Sequence, residues 1–100
     1  MDVLRAAFIF VAPEADPTVN RVWVKTPKVH LLTVGVADYA QAEAVAKELV
    51  LKDGIAAIEL CGGFGNAGTA RVAAAVSVPV GVVRFDAHPG LGGVSGDTLF

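Results

Sequence analysis

Hydrophobic and polar positions change period several times along the chain, and each change marks an element. Residues 5–12 (RAAFIFVA) form a short apolar run rich in β formers and closed by Pro13, which predicts a buried strand. Residues 13–20 (PEADPTVN) combine two prolines with Asp and Asn, the chemistry of a loop. In residues 21–26 (RVWVKT), Arg21, Trp23 and Lys25 alternate with Val22 and Val24. That period of two predicts a half-exposed strand and suits a sheet edge. Residues 29–36 (VHLLTVGV) are β-branched and nearly all apolar, as expected of a strand covered on both faces.

The pattern then turns helical. Asp38 stands where an N-cap is needed, and Gln41, three residues on, is placed to reach back as in a capping box. Ala42, Val45, Ala46, Leu49 and Val50 make one apolar stripe, with Glu43 and Lys47 four apart on the outer face. Gly54 stops this helix as a left-handed C-cap. Residues 55–61 (IAAIELC) predict a fourth strand, followed by the turn Gly62, Gly63, Phe64 and Gly65. Asn66 is then the expected N-cap of an alanine-rich helix reaching about Val76. Pro79 leads into a fifth strand over residues 80–85 (VGVVRF), and a Gly-rich tail over 86–100 shows no clear period.

Strand, helix, strand, helix, strand over residues 29–85 predicts an α/β fold with a small, mostly parallel sheet in the order β-β-β-α-β-α-β. If the last three strands lie in sequential order, right-handed crossovers put both helices on one face of the sheet. The opposite face then needs another cover: the tail, the first two strands, or a second subunit.

With 100 residues the chain is expected to form one domain, residues 1–100. Its hydrophobic share of 54% against 18% charged leaves more apolar surface than so small a core hides, which predicts a homo-oligomer, most simply a dimer. A net charge of −2 with scattered Lys and Arg argues against nucleic acid. No membrane span or signal peptide is read, so a cytoplasmic protein without a membrane partner is expected. The single Cys61 excludes an intrachain disulfide and a multi-Cys zinc module.

Candidate chemistry gathers at the carboxyl ends of strands four and five, where open α/β sheets collect ligands. Gly62, Gly63, Gly65 and Asn66 form a strand-to-helix turn able to seat a phosphate or carboxylate, although glycines that merely permit a tight turn account for it equally. The turn has neither a Walker nor a dinucleotide pattern. Cys61, at the mouth of the helix, is a candidate nucleophile or proton carrier, or simply a packing residue. Glu59 interrupts an apolar strand and calls for a partner, for which Arg84 on the neighbouring strand is the natural choice, as a structural ion pair or as a substrate clamp. Asp86 and His88, two apart, could form a hydrogen-bonded dyad or two ligands of a metal, or could only redirect the chain with Pro89 and Gly90. The five residues Glu59, Cys61, Arg84, Asp86 and His88 are expected to converge on one small acidic ligand. No cofactor and no metal centre are expected.

The segments AAFIFVAP, TVGVADY, AIELCGGFG and PVGVVRFDAHPG together resemble a family of small bacterial proteins of unknown function, over nearly the whole chain. Residues 38–83 also resemble one half of the aspartate/glutamate/hydantoin racemases, in which a strand-end cysteine precedes a small-residue turn, a helix and a "VPV" strand. Those enzymes use two cysteines, whereas this chain has one, so the resemblance implies either a symmetric dimer with paired Cys61 or a one-thiol chemistry. Two functions are therefore weighed: binding or conversion of a small carboxylate or phosphate-bearing metabolite at the Gly-rich turn, and a non-catalytic oligomeric module that binds a ligand or its own copies.

Overall fold

The computed structural model describes residues 2–85 and 87–100. The chain forms strands β1 (Leu4–Val11), β2 (Arg21–Lys25) and β3 (Val29–Val36), helix α1 (Tyr39–Asp53), strand β4 (Ala57–Leu60), helix α2 (Asn66–Ala75) and strand β5 (Val80–Val82). Two single 3-10 turns, Pro89–Leu91 and Gly96–Thr98, order the tail that showed no period in the sequence. None of the described helices is long and apolar enough to cross a membrane.

The strands lie in the order β2-β3-β1-β4-β5, parallel except for β2, which runs antiparallel along β3 at the edge. β1 thus inserts between β3 and β4, so α1 crosses over β1 on its way from one to the other. Both helical crossovers advance in the same direction across the sheet, and right-handed connections of that kind place their helices on one face. The core confirms the placement. Ala7, Ile9 and Val11 of β1, Leu32, Val34 and Val36 of β3, and Ile58 and Leu60 of β4 pack against Ala42, Val45, Ala46 and Leu49 of α1 and Val72 of α2.

The helix termini show how local chemistry fixes the layers. Asp38 caps α1 by accepting the Gln41 N–H at 2.8 Å, while the Gln41 side chain accepts from Ala37 N at 2.7 Å, one residue short of a capping box. Gly54 ends the helix at φ 65°, the left-handed conformation its missing Cβ permits. The expected pairing of Glu43 with Lys47 gives way to a tertiary one: Glu43 accepts from Arg71 Nε of α2 at 2.7 Å, tying the two helices together. β4 and β5 are shorter than the sequence pattern suggests, because β5 pairs only with Ile58, Glu59 and Leu60, and the Val83 N–H closes that ladder on Leu60.

The second face of the sheet carries no helix. Leu4, Ala6, Phe8 and Phe10 of β1, Val22 and Val24 of β2, Val29, Leu31, Thr33 and Gly35 of β3, Ala57 and Glu59 of β4, and Gly81 of β5 alternate with the core positions and share this side. On β2 it is Arg21, Trp23 and Lys25 that flank the helical layer, where Arg21 pairs with Glu48 of α1. Val22 and Val24 face outward, 59% and 55% exposed.

Because Ile9 is fully buried at the centre of the helix-covered face, Ile9→Ala is expected to destabilise the chain by about 2–5 kcal/mol in urea unfolding followed by circular dichroism.

Candidate functional site

The carboxyl ends of β3, β1, β4 and β5 meet the start of α2, and the C-terminal tail folds back over this corner. Gly65, rather than Asn66, is the N-cap residue of α2, and it has no side chain to satisfy the first N–H groups of the helix. Asp97 does so from thirty residues away: Oδ2 accepts from Ala67 N at 2.9 Å and Oδ1 from Gly68 N at 3.1 Å. The N–H groups at the start of α2, expected from the sequence to seat a bound anion, are taken by the chain's own carboxylate.

Tyr39, the first residue of α1, completes the latch. It is 3% exposed and stacks on Phe64 with ring centroids 5.3 Å apart. Its hydroxyl donates to Asp97 Oδ1 at 3.0 Å, lies 3.3 Å from the Gly63 carbonyl and accepts the Gly65 N–H at 3.1 Å. The surrounding glycines are explained by close approach. A Cβ on Gly65 would run into the Asp97 carboxylate, one on Gly68 into the Tyr39 ring, and one on Gly96 into the Gly63 carbonyl. Burial pushes the Tyr39 hydroxyl up to about 12; the Gly65 N–H opposes this, and the bond to Asp97 and its charge add to it. Partial burial pushes Asp97 upward, but the N–H groups of Ala67 and Gly68, the Tyr39 hydroxyl and the Asn66 N–H together outweigh it and hold this carboxyl below its ordinary range.

Cys61 follows the last residue of β4 and is half-buried. Its Sγ accepts from Val11 N at 3.4 Å and Gly63 N at 3.3 Å. Alternate N–H groups of β1 point toward β4, and β4 has ended by Val11, so the thiol takes the N–H that the ladder leaves over. His88 is engaged locally instead. Its Nδ1 accepts the Gly90 N–H at 3.0 Å, capping the 3-10 turn, and the ring packs on Phe85 with centroids 4.6 Å apart. No hydrogen bond joins His88 to Cys61. Asp86 lies outside the described residues.

The expected ion pair of Glu59 with Arg84 does not form, and strand geometry gives the reason. Glu59 aligns with Gly81 on the bare face of the sheet and is exposed. Arg84 lies beyond the end of β5, where its Nε donates to Asn66 Oδ1 at 3.3 Å beside α2. The two side chains thus leave the sheet toward different neighbours. Of the candidate site residues, Gly65, Asn66 and Arg84 share a cleft of about 160 Å³, which they line with Phe85, Ser95 and Asp97. Among the described residues no group of three His, Cys, Asp or Glu is arranged to hold a metal ion.

Tyr39 and Asp97 were not singled out from the sequence. A tyrosine beginning a helix reads as one more apolar position, and nothing local links Asp97 to a helix start thirty residues earlier.

A model of a family of unknown function matches residues 4–98, nearly the whole chain. The chain belongs to this family, DUF6506. No curated protein and no solved structure matches it, and the racemase resemblance finds no support.

Asp97→Asn keeps the size of the latch and removes its charge, and should cost about 0.5–2 kcal/mol, the range for losing a helix cap. Because the folded carboxyl titrates below the unfolded value, its contribution is present above about pH 4 and fades as pH falls through the lower, folded value. Urea unfolding from pH 7 to pH 2 should show the variant losing less stability in acid than the parent.

Proposed function

We propose that this chain is a non-catalytic, self-associating α/β module whose working surface is the bare face of its sheet. The observation that carries this reading is β2, whose alternating valines, Val22 and Val24, point away from the core into solvent, beside Phe8, Leu31 and Val29 on the same side. An edge strand that turns its apolar residues outward and its Arg, Trp and Lys toward the helical layer is patterned for a second cover. Glu59 is the one charged side chain among the described strand residues of that face. The reading is also supported at the other end of the molecule, where the groups with chemical potential have structural work. Cys61 closes a β ladder, Asp97 and Tyr39 secure α2, and His88 caps a turn.

A second reading rests on the cleft beside α2. There Arg84 and Asn66 stand together on the wall of a cavity large enough for a small carboxylate or phosphate group. Under this reading phosphate or acetate raises the melting temperature of the parent and leaves that of Arg84→Ala unchanged; no shift in the parent removes it.

The principal reading is tested by sedimentation velocity over a range of protein concentrations. A mass above the 10.2 kDa of one chain is expected. Val24→Lys, which places a charge on the exposed side of an edge strand, should return the protein to a monomer with an unchanged far-ultraviolet spectrum. A parent protein monomeric at millimolar concentration would overturn it.

A further inference from the structure

We infer that the partner on the bare face is a second copy of this chain, related by a two-fold axis running along β1, so that Glu59 of each chain meets Thr33 of the partner subunit. The inference rests on the self-association proposed above and adds the geometry of the pair.

The registers of the four strand pairs carry the argument. Read across the sheet at the level of Phe8, the bare face presents Val22, Thr33, Phe8, Glu59 and Gly81. One step toward the amino end of β1 it presents Val24, Leu31, Ala6 and Ala57. β1 is the middle strand of the five. A two-fold axis along β1, lying between two face-to-face sheets, exchanges the strands on its two sides. β4 then lies over the partner's β3, and β5 over the partner's β2.

Each row becomes complementary to itself under that operation. In the first, Phe8 stacks on the partner's Phe8, Gly81 receives the partner's Val22, and the Glu59 carboxylate comes opposite the Thr33 hydroxyl of the partner subunit, twice per dimer. In the second, small Ala6 meets its own copy, and Leu31 fills the space left by the partner's Ala57. Among its described strand residues the face holds one carboxylate and one hydroxyl, at one level and one strand spacing from β1 on either side, so this axis gives the buried charge a hydrogen-bond donor. An axis across the strands at the same level would set Glu59 against the partner's Glu59, two like charges taken out of water. An axis along β4 would likewise set Glu59 against the partner's Glu59, and one along β3 would carry β4 past β2 and leave the carboxylate over no strand.

The size of the surface agrees. The five strands, about 4.8 Å apart and rising about 3.3 Å per residue, make a flat patch of roughly 440 Å² before side-chain relief is counted. That matches the ~300–600 Å² of the largest apolar patch of a monomer and, before side-chain relief, is a little over half of the ~800 Å² that each partner contributes to a standard interface.

The test uses thiols introduced on the surface of the single chain in a Cys61→Ser background, with circular dichroism to confirm the fold. Glu59→Cys and Thr33→Cys proteins are treated with a short bis-thiol alkylator, separately and after mixing. A covalent dimer from the mixture, and little from either protein alone, is expected. Covalent dimer from Glu59→Cys alone would overturn the inferred axis while leaving self-association intact. A dimer in solution that neither thiol links, alone or mixed, would overturn the use of this face, and a monomeric parent would overturn the reading beneath it. Cysteine-free variants give a second readout. Thr33→Val should raise the dimer dissociation constant about tenfold by stranding the carboxylate, and should cease to do so once Glu59→Leu is also present. Equal effects of Thr33→Val with and without Glu59→Leu would contradict the pairing.

Discussion

Everything in this molecule follows from two helical crossovers that advance in the same direction. From β3 over β1 to β4, and from β4 to β5, each connection must be right-handed, and two such steps in one direction leave both helices on the same side. A doubly wound sheet escapes this by reversing direction once and so covers both faces. Here the chain returns from β1 to β3 through the edge strand β2 rather than through a helix, so neither described helix lies on the other face.

The bare face and the tail corner solve opposite problems. On the helical side a short chain must close a helix whose first residues offer no capping side chain, and it does so by bringing a carboxylate from the far end of the sequence. Asp97 and Tyr39 link the start of α2, the start of α1 and the last 3-10 turn, so the tail serves as a structural part and not as an appendage. The glycines nearby leave room for this latch, which accounts for a glycine-rich turn without a ligand. On the other side no described helix lies over the sheet, and the valines of β2 face outward.

Much of the fold was legible because its signals are local. Asp38, Gly54 and the apolar stripe through Leu49 delimit α1, and the β-branched runs locate β1 and β3. Strand order was less accessible: that β1 lies between β3 and β4 depends on which apolar strand best fills the middle, a global property. The candidate site was read poorly for a related reason. Glu59 and Arg84 stand in adjacent strands, so proximity suggested a pair, but which face each leaves from depends on register and on where β5 ends. Cys61 at a strand end looked reactive because a helix follows it, whereas its sulfur meets an N–H left over by a ladder that only the folded sheet defines.

If the bare sheet face is covered in solution, as proposed, hydroxyl-radical footprinting of the purified protein will register it. Leu51 of α1 and Val19 of the loop before β2, 83% and 72% exposed, serve as internal references. The account predicts strong modification of these two and protection of Phe8, Val22, Val24 and Leu31. Oxidation of Val22 and Val24 at the rate their single-chain exposure implies, in step with Leu51 and Val19, would contradict it.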